Sequence, residues 1–411
     1  MALNPPTYSP VPFIGYAWVR IAGVDVTTDS EGRPRFLTGF QYRRVGDRGG
    51  NRTTISLFDH TWDFIESLIA SSDDQLIQFR YGYTTGKQSP TYTGYVINYK
   101  PNFGIDGAKL TVEAVSLGVI DDQDRVKSRV FKDKDIHEVV DQIAEEHGWG
   151  TDIDPTLSLY DNCDLEQSGL VKLHFYQNKM RDLQFIADIL APRAVRKSDK
   201  VADYKIFFDD ESNIFHFHPP RFEKSPTRTF IFMRDKMSEV ISFTPDMNGQ
   251  LNLRLGAGVS GAPYIDTQTG EYNEVYHNNQ TTPEKSLLGG VFTEEALLQD
   301  ENYSVVENRP LRDGDQADIA ARDRYFQMFN SVHGGELVIL GDPDVKVHQI
   351  IRILVTKRNG AIHYSSGLYL VKEINDAIGG GDFASTLSLI RNAFPATGEV
   401  TGALGIGKVN Q

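Results

Sequence analysis

Two stretches of the chain repeat one alternation of apolar and polar residues in the same order. Leu76-Ile77-Gln78-Phe79-Arg80-Tyr81 is followed, 19 residues after Leu76, by Tyr95-Val96-Ile97. Ile350-Ile351-Arg352-Ile353-Leu354-Val355 is followed, 19 residues after Ile350, by Tyr369-Leu370-Val371. Gly94 and Gly367 stand before each second strand, and a glycine-containing turn then leads to Leu110-Thr111-Val112 in one set and to Leu387-Ser388-Leu389 in the other. Strand-like runs of this kind, set between glycine turns, read as β-meanders. The shared order and spacing predict two copies of one β-module; two unrelated meanders would look the same.

The rest of the chain fits around these copies. Tyr16–Ile21, Thr53–Phe58 and Lys109–Val115 read as strands, with a short helix at Trp62–Ala70 where Phe64, Ile65, Leu68 and Ile69 recur at helical spacing. From about residue 123 the texture changes. Ile136, Val139, Val140, Ile143 and Ala144 form an apolar stripe that Asp135 can cap and Gly148 can end. A second helix is predicted over Lys179–Leu190, stopped by Pro192. Strands return at Tyr204–Phe208 and Ile214–His218, then at Phe230–Met233 and Glu239–Phe243. Residues 256–311 lack periodicity and read as an insertion or arm. Ala317–Asn330 reads as a helix, and Glu336–Leu340, Ile350–Thr356, Leu368–Ile374 and Ser385–Ile390 as strands. The glycine-rich tail Pro395–Gln411 has no pattern and is expected to be flexible or ordered by a partner.

Composition removes several functional classes. The 411 residues hold 42 Lys+Arg against 56 Asp+Glu, a net charge of −14, which argues against a general nucleic-acid binder. A single cysteine, Cys163, excludes an internal disulfide framework and a cysteine-based zinc site. No run of 18 apolar residues could cross a membrane as a helix. The start, Met1–Pro6, has no basic region and no apolar core, and is expected not to be a signal peptide. Aromatic residues at 11%, with 23 Phe and 18 Tyr, favour β-sheet.

No catalytic constellation emerges. Gly256-Ala257-Gly258-Val259-Ser260-Gly261 spells a dinucleotide-loop pattern, but Pro263 and Thr267-Gln268-Thr269-Gly270 follow where a helix is needed. His216 and His218 lie two apart on a strand and so share a face, yet no third metal ligand is identifiable nearby. Asp342 with Asp344, and Asp152 with Asp154, read as turn and cap carboxylates rather than a cation loop. Cys163 sits in Asp161-Asn162-Cys163-Asp164, an acidic setting that disfavours the thiolate. The basic residues within Ala194–Lys200 read as a solvated loop. No catalytic, cofactor-binding or metal-ligating residue is therefore assigned, and no cofactor is expected.

A family resemblance rests on short motifs in a fixed order. The C-terminal part reads Gly335-Glu336-Leu337-Val338-Ile339-Leu340-Gly341-Asp342-Pro343, then Gly367-Leu368-Tyr369-Leu370-Val371, then Ser385-Thr386-Leu387-Ser388-Leu389-Ile390-Arg391. Upstream, Arg129-Val130-Phe131 leads into Ile136–His147, and Gln177, Asp182, Phe185 and Ile186 hold the places of a Q-x-x-x-x-D-x-x-F-I helix. The whole resembles the tail-hub proteins of contractile phages: the late-control D proteins, the T-even baseplate hub and the hub half of type VI secretion spikes. It departs from them in Val345-Lys346-Val347-His348, where the family often has G-D-x-V, and in a long insertion.

The resemblance implies a mainly β fold with α+β parts. It places a first tube-like β-barrel domain at 1–122, an α/β module with two helices at 123–200 and a second tube-like β-barrel domain at 201–245 and 316–394. An insertion or arm takes 246–315 and a flexible tail 395–411. It further implies a homotrimer whose six barrels form a pseudo-sixfold ring. Such a baseplate hub adapts the sixfold tail tube, or a tube-initiator protein, to a trimeric spike on a separate chain. It also touches baseplate wedge proteins and leaves a channel for DNA or cargo that is not specifically bound. The expected location is the virion tail baseplate, assembled in the host cytoplasm, with no integral membrane association and no enzymatic activity. The rival reading is a tail-associated peptidoglycan or glycan hydrolase, or a carbohydrate-binding protein, which needs a deep pocket with converging carboxylates.

Overall fold

The computed structural model describes residues 14–27, 36–47, 50–70, 75–116, 126–157, 174–221, 225–232, 239–246, 260–266, 269–277, 304–305, 314–330, 333–356, 363 and 365–391. Cys163, Gly256, Gly258 and the tail from Pro395 lie outside them.

The first β unit comprises β1 (Gly15–Ile21), β2 (Val24–Asp25), β3 (Leu37–Val45), β4 (Arg52–Asp59), helix α1 (Asp63–Ala70), β5 (Leu76–Tyr83), β6 (Tyr92–Gly104) and β7 (Gly107–Ser116). Its strands bury every second residue, as in β4, where Thr53, Ile55, Leu57 and Asp59 face inward. Asp59 starts α1 by accepting hydrogen bonds from the backbone of Phe64 and Ile65, and the helix buries Ile65 and Leu68 against the strands.

The α/β part follows with β8 (Lys127–Lys132), α2 (Ile136–His147), β9 (Gly150–Ile153), β10 (His174–Met180), α3 (Asp182–Phe185), β11 (Lys205–Asp209) and β12 (Ile214–His218). Helix α2 has the predicted bounds. Asp135 and Glu138 form a capping box, and Gly148 closes the helix at φ 68. The second predicted helix differs. Lys179 and Met180 end strand β10, α3 starts at Asp182, and the chain widens into a π turn at Ile186–Leu190 before a 3-10 turn at Ala191–Arg193. Pro192 sits inside that last turn, where its missing N–H costs no helical bond.

The second β unit uses β13 (Arg228–Phe232) and β14 (Val240–Pro245). A small sheet of β15 (Ser260–Ile265), β16 (Tyr272–His277) and β17 (Ser304–Val305) then packs Ala262 against Ala317 and Ala321 of helix α4 (Gly314–Asn330). The unit closes with β18 (His333–Leu340), β19 (Ile350–Val355), β20 (Gly367–Gly379) and β21 (Asp382–Ile390).

The two units share one strand order. Hydrogen-bonded order is β1-β5-β6-β7-β4-β3 in the first and β13-β19-β20-β21-β18-β14 in the second. Both carry a bulge at the same place: Ile97 is the extra residue on β6 against β7, and Lys372 on β20 against β21. These bulges correct the sequence alignment by one residue. Val96 faces Ala114 and Val371 faces Leu389, so Tyr95 corresponds to Leu370 rather than to Tyr369. A slip of one exchanges the faces of a strand, and burial agrees, since Val96 and Val371 each lie in their unit's core. One strand departs: β1 runs antiparallel to β5, but β13 runs parallel to β19.

Each unit curls around its own core. Phe40 and Tyr42 of β3 meet Phe79 of β5, although these strands are not neighbours in the sheet. In the second unit Phe230, Val240, Leu337, Ile353, Val371 and Leu389 gather from six strands. The α/β part has a third core, around Val139, Ile143, Phe185, Phe215 and Phe217. Antiparallel pairing of β3 with β20 joins the two units into one 13-stranded sheet.

Candidate functional site

A cavity of about 280 Å³ opens where the three cores meet, lined from β3 and β6 of the first unit, β11 and β12 of the α/β part, and residues 346–350 of the second unit. Phe207 of β11 stands at its centre, stacked between two imidazoles: His216 at 4.4 Å and 3°, and His348 at 4.4 Å and 15°. His348 occupies the left-handed region at φ 60, and its Nε2 lies 2.6 Å from the carbonyl of Gly46, leaving Nδ1 buried with no hydrogen-bond partner. Burial, then the neighbouring His218, push the His348 imidazole down to about 3.

The expected histidine pair is present, and the fold adds a third group. Strand β9 runs parallel to β12 and sets Asp152 directly opposite His216. Nδ1 of His216 is 3.1 Å and Nε2 of His218 is 3.8 Å from Asp152 Oδ2. His218 holds its other nitrogen, Nδ1, 2.8 Å from the Pro219 carbonyl. Arg221 donates to both oxygens of Asp152 at 2.8 Å and to Asp154 at 2.7 Å. These hydrogen bonds hold the Asp152 carboxyl at about 2. Burial pushes His218 down to about 4.

The hairpin tip between β11 and β12 closes another side. Asp210 accepts hydrogen bonds from Tyr42 Oη at 2.6 Å and Ser116 Oγ at 2.9 Å, both in the first unit. Lys346 of the second unit reaches Asp209 at 3.3 Å and Glu211 at 2.5 Å. Burial pushes the Asp210 carboxyl above its usual range, outweighing the hydrogen bonds from Tyr42, Asn51 and Ser116.

The other sequence candidates remain apart from the cavity. Gly261 enters strand β15, so no helix follows the glycine pattern. Asp342 shapes a turn by accepting the Asp344 N–H at 3.1 Å, and Lys87 pairs with Asp344 at 2.7 Å. Arg196 pairs with Asp154 and Asp199, which accounts for the basic loop. His348 and Asp210 gave no sequence signal, because their partners come from other elements.

No protein-family model matches the chain, and no curated protein matches it. Solved structures do. The 43 kDa tail protein of prophage MuSo2 from Shewanella oneidensis aligns with 92% of this chain and 99% of its own, at TM-score 0.58 and 10% identity. The tail protein from Neisseria meningitidis MC58 aligns with 92% of this chain and 96% of its own, at TM-score 0.55 and 8% identity. A chain of the Francisella PdpA–VgrG complex aligns over 93% of this chain and 53% of its own, at TM-score 0.50 and 8% identity. The likeness is one of fold: a mainly β chain built as these tail proteins are.

Proposed function

We propose that the protein is the structural hub of a contractile phage tail or related injection machine, acting as a trimeric adaptor and not as an enzyme. The observation that carries the reading is the repeated strand order, bulge included, of the two fused β units. A chain with one β unit would give three equivalent positions in a trimer. A chain with two gives six, which match a sixfold tube on one face while the threefold axis meets a trimeric spike. The shared fold of the solved tail proteins supports the same reading. The domain division 1–122, 123–200, 201–245 with 316–394, 246–315 and 395–411 belongs to this proposal, with one change: β11 and β12 pair with β9 and share its core, so they go with the α/β part rather than with the second barrel. Contacts with tube, spike and wedge proteins, the channel for DNA or cargo, and a place in the virion baseplate belong to the proposal as well.

Light scattering on the purified chain, alone and with the trimeric spike, tests the adaptor. A mass of three chains and ring-shaped particles with a central hole in negative stain are expected. A chain that stays monomeric in both conditions overturns it.

A further inference from the structure

We infer that Asp152, His216 and His218 form a binding site for a divalent transition metal of the zinc class. The three donor atoms lie within 4.8 Å of one another. Two of the separations, 3.1 Å and 3.8 Å, bracket the roughly 3.4 Å between tetrahedral ligands that bonds of about 2.1 Å produce. Two imidazoles and one carboxylate suit zinc, copper or nickel better than calcium or magnesium, which take oxygen shells.

The surroundings are those of a built site. All three side chains stand on strands, two on β12 and one on its parallel neighbour β9, so rigid backbone sets their spacing. The contact of His218 Nδ1 with the Pro219 carbonyl selects the tautomer that keeps the Nε2 lone pair towards Asp152. An imidazole anchored to a carbonyl in this way is the usual support of a metal ligand. Arg221 fixes the plane of the Asp152 carboxylate from both oxygens, and each oxygen keeps a further lone pair. The guanidinium repels a cation and lowers the affinity that the three ligands can reach. Three protein ligands leave a fourth position open, and the cavity beside them also holds the unpartnered Nδ1 of His348. The inference revises the sequence expectation that no residue ligates a metal, because strand pairing brings in the third ligand.

The test uses the full chain without an affinity tag. Titration with Co²⁺ is expected to give visible ligand-field bands that saturate at one equivalent and are displaced by Zn²⁺. His218→Ala and Asp152→Asn are each expected to weaken uptake by more than about 100-fold, beyond the usual effect of supporting residues. His60→Ala, at an exposed histidine of the first unit, should leave uptake unchanged. Cu²⁺ electron paramagnetic resonance on the unaltered chain needs no folded variant and should show coupling to two imidazole nitrogens. Absence of uptake at millimolar metal, uptake that survives both substitutions, or a copper spectrum without imidazole coupling overturns the site.

Discussion

Asp182 gathers four partners on one buried carboxylate: Lys127 at 2.6 Å, Gln177 at 2.7 Å, Arg129 at 2.8 Å and His147 at 2.9 Å. Glu146 shares the same two cations from helix α2. Burial pushes the Asp182 carboxyl up, but hydrogen bonds from His147, Lys127 and Gln177 and the charge of Arg129 outweigh it, holding the group well below 3.8. A depressed carboxyl contributes stability that is fully present above its unfolded value of 3.8 and is lost as pH falls through the folded value. Asp182→Asn should therefore cost about 2 kcal/mol at pH 7, discounted from the figure for a fully buried pair because both cations are partly exposed. Urea unfolding at pH 7 and pH 3 checks the sign: the gap between parent and variant should narrow at pH 3, and an unchanged gap would show that charge is not the cause. The motif letters Gln177 and Asp182 were legible in the sequence, as was the closing Arg391. Their work was not, since it depends on distant residues. Arg391 lies buried against the Tyr369 hydroxyl at 2.6 Å and the Ser365 carbonyl at 2.7 Å, and Gly367, at φ +153, leaves room for the guanidinium where a Cβ would stand 2.8 Å from it.

At the scale of elements, the β11–β12 hairpin acts as a pin between the two β units through Asp209, Asp210 and Glu211. A raised carboxyl such as Asp210 contributes stability that is fully present below its unfolded value of 3.8 and is lost as pH rises through the folded value, opposite in sign to Asp182. Asp210→Asn keeps an acceptor for the Tyr42 hydroxyl and removes the buried charge, so it should leave stability at pH 7 unchanged or raised. Asp210→Ala leaves that hydroxyl without its acceptor and should cost about 2 kcal/mol. Denaturant midpoints of the two variants at pH 7 separate the effects, and an Asn variant as weak as the Ala variant would contradict this account. The hairpin was readable because its two strands are rich in aromatic residues and flank a polar turn at 209–213. Strand β3 was not, because its inward face runs Phe40, Tyr42, Arg44, and a buried arginine breaks an apolar alternation. Strand β9, at four residues, is too short to show a period, yet it supplies Asp152.

For the whole molecule, β3 matters more than its sequence suggests, since its pairing with β20 makes two units one sheet. Arg44 on β3 donates to Asp376 on β20 at 2.6 Å and to the Val345 carbonyl at 2.6 Å, and Tyr81 donates to the same Asp376 at 2.7 Å. Asp376 is fully buried, so Arg44→Ala strands its charge and should cost about 3–5 kcal/mol. Calorimetry should still show both units melting together at a lower temperature, whereas two separated transitions would mean that the shared sheet does not couple them. The same fusion bears on assembly. A unit that repeats within the chain must also meet its counterpart in a neighbouring chain if three chains are to form a ring. The second unit offers Ile241 on β14 and Leu340 on β18, 52% and 48% exposed on hydrogen-bonded neighbouring strands. Lone exposed apolar residues are ordinary, but Ile241 on the outer strand β14 together with Leu340 on its neighbour β18 offers an apolar surface that a partner chain can cover. Ile241→Lys should change monomer stability by no more than about 0.5 kcal/mol, because about half of the residue is already exposed and a lysine there can reach solvent. If three chains form a ring through this face, light scattering should give a one-chain mass for the variant under conditions where the unaltered chain gives three. A variant that still forms the trimer would move the chain-to-chain contact to another face of the sheet.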